Sequence, residues 1–461
     1  MRFLIKTLIW GVVVLALLCV AAPYGVGWLV AARFDRVVAH LSVPGYLQVV
    51  SRDFDRGWFV SRATVVLRPS GPLCRTRPCP VITLDSRIDH GPLAWGAADA
   101  SLVPVLAVVT THADLTSLWP RYVFSPAPDP LTITSRIRLN SRGQAWLRLD
   151  GASFDVSRQH PVAHVKTAAV TGALQSGLLA RRIDGLRLDW PSFSLVRQSG
   201  GHLAWRNVHF RAQSAAGGAL ANRHFSADSI TLDNGSGHAT RLTHVDLTMR
   251  RPQPKTTAVA LNIEKLVLPD NSQGTFILEA RQRGMNPLAW ATLPGRWSAL
   301  GGRPGGALNA PKLYRDIVPE LLPGGSRIQI DRFELAMRDG AIRARGHIQA
   351  PPHYRRTDTA VGLLSQLQGR LRLSLPRPIL RRLTAYMLGV ADTGDPQAAI
   401  DARIDAGVRE LVARDLIAPV DDGKRYRIQI VLEDGRMRIN GRDRPGWKVL
   451  VDQLQAAAQG L

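Results

Sequence analysis

The sequence predicts a mainly β protein with a few helices, in which extended antiparallel sheets follow a single N-terminal transmembrane helix. Three observations carry this. Short runs of alternating apolar and polar residues recur along the chain, separated by Gly, Asn, Asp, Ser or Pro, the period of two expected of half-buried strands. Gly and Pro supply 40 and 30 of the 461 residues, punctuation that favours many turns. The N-terminus carries a long uncharged stretch. At 45% hydrophobic and 21% charged residues the composition is globular rather than disordered or fibrous, because enough apolar side chain is present to offset the entropy of folding.

The uncharged stretch runs from Leu8 to Ala32, after Arg2 and Lys6. As a helix it would span about 37 Å at ~1.5 Å per residue, enough for the ~30 Å hydrocarbon core. Its apolar character continues past Pro23 through Trp28, Leu29 and Val30, longer than a cleavable signal's apolar region, so an uncleaved anchor is expected. Cys19 follows the large Leu18 and reads as a plain membrane-facing thiol. Basic residues flank both ends (Arg33 and Arg36 follow), so the charge rule for orientation is weak.

Beyond the anchor, Ala31 to Leu41 reads as a short amphipathic helix ended by Val43-Pro44-Gly45. Alternation begins at Trp58 to Arg68 and recurs at Leu131 to Leu139, Ala145 to Leu149, Leu186 to Trp190, Leu203 to Phe210, Ile230 to Leu232, Leu242 to Met249, Ala258 to Leu268 and Phe276 to Ala280. Two Asp-Gly steps predict hairpins with type I′ turns. Around Asp339-Gly340 the expected pairs are Met337 with Ile342 and Leu335 with Ala344; around Asp434-Gly435 they are Leu432 with Met437, Ile430 with Ile439 and Glu433 with Arg436. Both registers gather apolar residues on one face, which a slip of one would scatter. Helical spacing appears at Arg377 to Leu388, Asp405 to Leu416, the short Leu313 to Ile317, and a C-terminal set of Trp447, Leu450, Val451 and Leu454. The organisation expected is an anchor over 1–32, a β-rich region over 33–293, a Gly/Pro-rich loop over 294–310 and a C-terminal α+β region over 311–461.

Cys74 and Cys79, in Leu73-Cys74-Arg75-Thr76-Arg77-Pro78-Cys79-Pro80, are placed to close a small disulfide loop worth on the order of 2 kcal/mol, which suits an oxidising compartment; free thiols are the alternative. A zinc site would need four ligands, and the candidate second half, the pair His160 and His164, lies some 80 residues on with Pro161 between them. Pro78 and Pro80 oppose the helix start that a redox pair uses.

Several segments resemble the YdgA-like family of bacterial membrane-anchored proteins, a family of unknown function. Phe54-Asp55-Arg56-Gly57-Trp58-Phe59-Val60-Ser61 is similar to its R-G-x-F-x-S motif before a strand, and Ile88-Asp89-His90-Gly91-Pro92-Leu93 to its D-H-G-P motif. Leu313 to Pro323 before the Asp339-Gly340 hairpin, Leu371 to Pro376 before a helix, and Asp434-Gly435 followed by Ile439-Asn440-Gly441 occur in the family's order. The resemblance implies a single-span inner-membrane anchor and a large, strand-rich domain in the periplasm. It brings no catalytic residues, and the Cys74 to Cys79 loop is not part of the pattern.

Catalytic, cofactor-binding and metal residues are expected to be absent. The chain has no G-x-S-x-G, S-x-x-K, H-E-x-x-H, Walker or dinucleotide signature. Asp89-His90 is the most chemical-looking pair, yet neighbours on a strand point to opposite faces, and a turn-bound histidine is the expectation. His112 with Asp114, and His160 with His164, are pairs that do not make a site. The 59 basic and 36 acidic residues give +23, and 52 of the basic ones are Arg. Spread along an exported chain, they point to a surface drawn towards anionic headgroups rather than to nucleic acid. The partners expected are the inner membrane and lipid or another hydrophobic envelope ligand held on a sheet face, an architecture similar in general to that of AsmA-like lipid-handling proteins. A structural protein, homodimeric or bound to an envelope protein, is the competing expectation, and an enzyme the third.

Overall fold

The computed structural model describes residues 21–32, 34–35, 38–39, 42, 47–69, 81–91, 105–114, 131–138, 142–156, 163–177, 182–214, 220–235, 239–253, 255–269, 271–284, 323–353, 366–387, 397–433 and 435–443. The protein is mainly β and its described strand pairs are all antiparallel. It divides into two units, Met1–Gly237 and His238–Leu461. Among the described residues no helix is long and apolar enough to cross a membrane; residues 1–20 of the expected anchor lie outside the described residues, as do the Cys74 and Cys79 loop, the 294–310 loop, Leu313 to Ile317 and the C-terminal helix candidate.

In the first unit, β1 (Leu47–Asp55), β2 (Val60–Pro69), β3 (Ile82–His90), β4 (Val105–Asp114), β5 (Leu131–Arg138) and β6 (Arg142–Leu149) pair in sequence order. The ladder then runs through β9 (Val170–Gly177) to β10 (Arg182–Arg197), β11 (Gly201–Ser214) and β12 (Leu220–Asn234). A small hairpin, β7 (Ala152–Val156) and β8 (Ala163–Thr167), joins through β8 to the second half of β10. Strand β10 tolerates Pro191 in its middle because the proline sits between the residues paired with β9 and those paired with β8. The ladder to β11 skips the same point, where Asn207 adopts φ +49°, so the missing N–H breaks no register.

A helical stretch over 21–32, with helical residues at 34–35 and 38–39, packs on β1 to β4. Its Val26, Val30 and Phe34 meet Ala63, Ile88 and Ala107, and Val38 meets Val65 and Leu67, the spacing of one helical face. β2 reads as strict alternation because Ser61, Ala63, Val65, Leu67 and Pro69 all point at this helix and are buried.

In the second unit, β13 (Ala239–Gln253), β14 (Thr256–Val267), β15 (Gln273–Arg283), β16 (Arg327–Met337), β17 (Gly340–Gln349) and β18 (Gln368–Pro376) pair in order. β18 then pairs with β20 (Arg425–Glu433), which also takes β19 (Ala418–Val420) and β21 (Arg436–Ile439); β22 (Arg442–Asp443) ends the set. β15 and β16 flank the expected 294–310 loop and are direct neighbours. Two helices, α1 (Arg377–Met387) and α2 (Gln397–Ala413), cover the β18/β20 end through Leu375, Leu380, Val408, Ile417 and Tyr426. They match the helices expected at Arg377 and Asp405, the second starting eight residues earlier. Arg381 joins the helices by pairing with Asp401 and Asp405.

The Asp434-Gly435 hairpin has the expected register: Leu432 faces Met437, Ile430 faces Ile439 and Glu433 faces Arg436. The Asp339-Gly340 hairpin does not. Leu335 faces Ile342 and Met337 faces Gly340, two residues from the expected pairing. Arg338 and Asp339 form the turn and only Gly340 takes a positive φ, +117°, as in a type I turn followed by a bulged glycine rather than a type I′ turn. A slip of two leaves every side chain on its face, so the apolar pattern could not distinguish the two registers.

Candidate functional site

The two motif segments near the N-terminus meet. Arg56 to Phe59 form the turn between β1 and β2, Ser61 follows on β2, and Asp89 and His90 end β3. Because Ser61 is opposite Ile88 in the ladder, Ser61 and His90 fall on the helix side and Asp89 on the other. Ser61 Oγ and His90 Nε2 hydrogen-bond at 2.7 Å, and the Gly57 N–H donates to the same hydroxyl at 3.3 Å. Backbone bonds pin the histidine: His90 N–H donates to Phe59 O at 2.7 Å and Gly91 N–H to Leu106 O at 3.1 Å.

The pair is sealed. Ser61 is 0% and His90 3% exposed. Pro23 of the helix sits so close to Gly91, whose φ is +116°, that a Cβ there would lie 2.9 Å from the proline ring. Gly27 passes over the pair, and a Cβ on it would be 3.4 Å from both His90 Nε2 and Gly57 O. Glycine at 27 therefore lets the helix backbone approach the imidazole. Burial holds the His90 pKa below its ordinary value, and the neighbouring Asp89 carboxylate offsets this only in part. Asp89, itself buried, is taken by Arg87 at 3.0 Å. His90 Nδ1 is buried without a hydrogen-bond partner among the described residues. A neutral imidazole bound to a hydroxyl under a helix is a docking joint; a nucleophile needs access and an oriented base.

On the solvent side of the joint lies an aromatic patch. Tyr24 and Trp58 rings are 5.0 Å apart, and the Arg56 guanidinium lies over Tyr24 and donates to its hydroxyl at 3.3 Å. Trp28, one turn after Tyr24, is 60% exposed, Trp58 50% and Phe59 52%.

Of the other pairs singled out, His112 is exposed on β4 opposite Asp85, and Asp114 is two residues further along. His160 lies outside the described residues. His164 is instead joined to β7: its Nδ1 bonds Asp155 at 2.8 Å and its Nε2 bonds Ser153 Oγ at 3.2 Å, with the His and Asp side chains each 52% exposed. This Ser-His-Asp order is invisible in the sequence because it depends on the register that sets Asp155 opposite His164. Among the described residues no group of three or more His, Cys, Asp or Glu could hold a metal.

A larger feature spans each sheet. In the second unit Leu261, Leu278, Phe333, Ala344, Leu373 and Ile428 stand opposite one another across six strands, with Phe276 edge-on to Phe333 at 5.4 Å. In the first unit Leu147, Gly172, Leu188, Phe210 and Phe225 form a similar row, next to the packed rings of Trp190, Phe193 and Trp205. These apolar side chains are half-buried, unlike the buried face of β2 under its helix.

The family described as bacterial protein of unknown function (DUF945) has a model that matches residues 4–445. The chain belongs to this family. No curated protein and no solved structure matches the chain. As a DUF945 member it carries both the Ser61–His90 joint and the half-buried apolar rows within the matched region. Sequence reasoning found His90 but missed Ser61, Pro23 and Gly27 as its partners; the signal was two motifs, 29 residues apart from serine to histidine, each ending at the same edge of a strand pair.

Proposed function

We propose that the protein is an anchored component of the bacterial envelope that holds lipid acyl chains, or a similar apolar ligand, along the apolar face of its sheets. The observation that carries this is the continuous row from Leu261 to Ile428, apolar on six successive strands yet only half-buried. A sheet face that closes a core is buried by a second layer, and among the described residues α1 and α2 provide that at the β18/β20 end alone. The YdgA-like reading of the motifs, an inner-membrane anchor with the large domain in the periplasm, is part of the proposal. It is supported by the uncharged residues from Leu8 onward and by the exposed Tyr24, Trp28, Trp58 and Phe59 beside Arg56. Amphipathic aromatic and arginine side chains of this kind favour the headgroup layer. Leu8 to Tyr24 as a helix would measure about 25 Å, close to the ~30 Å hydrocarbon core, which supports a position of the aromatic patch near one bilayer surface.

The test is photocrosslinking of the full-length chain in its native membrane, with a photoreactive phenylalanine analogue at Leu261 or Phe333, and at Glu279 or Asn262 on the opposite face. Lipid adducts at the first two positions and not the last two are expected. Adducts with a second polypeptide alone at Leu261 and Phe333 would replace this reading with the scaffolding one, and no face dependence would remove both.

A further inference from the structure

The face of the second unit opposite the apolar row is built of arginine. Arg343 and Arg345 on β17, Arg370 and Arg372 on β18, and Arg425 and Arg427 on β20 alternate with the apolar residues and therefore share one side of the sheet. Arg345 and Arg372 are direct cross-strand partners, and Arg427 faces Ser374, two residues from Arg372. Directly opposed like charges cost stability in a sheet, so the fold maintains this arrangement against its own electrostatics. Five of these arginines, all but Arg370, line with Arg332 and three carboxylates an open concavity of about 630 Å³.

The carboxylates do not neutralise it. Asp331 is occupied by Arg281 and Gln329. Glu334 accepts from both Arg332 and Arg343, which hold its pKa below the usual carboxylate range. Asp421 is at the rim on the loop after β19, and Arg425 is spent on Ser374 Oγ at 3.0 Å. Arg345, Arg372 and Arg427 make no ion pair or side-chain hydrogen bond among the described residues. They contrast with Arg281, Arg332, Arg343 and Arg381, each of which has its carboxylate. The positive field reaches His347, two residues from Arg345: burial lowers its pKa and Arg327 and Arg370 lower it further.

We propose that this concavity binds a ligand carrying two linked phosphate groups, through Arg345, Arg372 and Arg427. Adjacent strands lie about 4.8 Å apart, so the three guanidinium stems, on three neighbouring strands, are spread over roughly 10 Å. That is the reach of a diphosphate held by several forks, and each fork matches a phosphate edge with two parallel N–H donors. Guanidinium groups without a carboxylate partner also supply the positive charge that a diphosphate requires. The three arginine side chains leave the sheet on the side opposite those of the apolar row, whose Phe333, Ala344 and Leu373 also border the concavity, and the site does not depend on the function proposed for that row.

The chemistry is common to free diphosphate and to the head of a diphosphate lipid, and the test separates them. The full-length chain in an uncharged detergent is titrated by calorimetry with inorganic pyrophosphate, with geranylgeranyl diphosphate and with geranylgeraniol. Binding of either diphosphate but not the alcohol is expected, weakened about tenfold by Arg372→Gln, in line with loss of a charge-assisted hydrogen bond, and unchanged by Arg250→Gln on β13. Without ligand, Arg372→Gln should melt no lower than the native chain, because it removes a like-charge contact; this keeps a folding defect distinguishable from a lost contact. Binding of both diphosphates assigns the free headgroup as sufficient, and binding of the lipid diphosphate alone assigns the lipid. No binding of either, or binding indifferent to Arg372→Gln, overturns the proposal.

Discussion

Ser61→Ala tests the joint beneath the N-terminal helix. The hydroxyl has two partners, His90 Nε2 at 2.7 Å and the Gly57 N–H at 3.3 Å. Since His90 Nδ1 already lacks a partner among the described residues, the variant leaves both ring nitrogens of a buried imidazole unsatisfied. A buried polar atom stripped of its partner costs about 1–3 kcal/mol, and the half-buried Gly57 N–H recovers part of its loss from water. The expected destabilisation is about 2–3 kcal/mol, or roughly 5–10 °C in the melting of a unit this size. Calorimetric melting of the full chain at pH 7.5, where His90 is neutral, reads it. The second half of the test is Ser61→Ala combined with His90→Phe, which removes both polar partners and keeps a ring. The double variant should be about 1–2 kcal/mol more stable than the sum of the single effects predicts. Additive losses, or a Ser61→Ala loss under about 0.5 kcal/mol, would refute the reasoning that this bond secures the joint.

Two further outcomes follow from the same geometry. Gly57→Ala should cost about 3 kcal/mol or more, because its Cβ would lie 2.0 Å from the Val60 carbonyl oxygen, whereas Gly25→Ala, with nothing within 4 Å, should stabilise the helix by up to about 1 kcal/mol; comparative denaturant melts of the two variants check this. The His90 pKa is lowered on folding, so between its folded value and the unfolded ~6.5 the unfolded chain binds the extra proton; stability should fall with acidification below about pH 6.5, by up to about 1.4 kcal/mol per pH unit, and His90→Gln should flatten that slope in melts taken from pH 7.5 to 5.

Much of the strand content was legible because a half-buried strand writes itself as alternation. Each of the eight runs from Leu131 to Ala280 falls within or almost wholly within a strand of the first or second unit. Their lengths were not legible. β10 extends over sixteen residues because its two halves pair with different strands, which excuses Pro191 from the ladder. The Asp434-Gly435 register was readable and the Asp339-Gly340 register was not: a displacement of two leaves the apolar pattern unchanged, and the choice between turn types was made at Gly340, whose Cβ position is closed by the Pro376 ring at 2.7 Å. β1, β3, β4, β7, β8 and β9 were not foreseen as strands. β3 carries Asp85, Arg87, Asp89 and His90, of which Asp89 and His90 are buried, a burial tolerated because Arg87 and Ser61 lie where they can satisfy them.

The sequence by itself determined the class of fold, a mainly β protein of antiparallel sheet with a few helices, because apolar periodicity and turn residues are local properties of the chain. It also marked His90 as chemically unusual. Only the tertiary structure decided what His90 does, since its partner Ser61 is 29 residues away and its cover, Pro23 and Gly27, comes from a helix read in isolation as part of a membrane span. The arginine face has the same origin. Six arginines scattered over three strands are a compositional bias when read along the chain, and a single positive surface only after cross-strand register, a long-range property, sets them side by side.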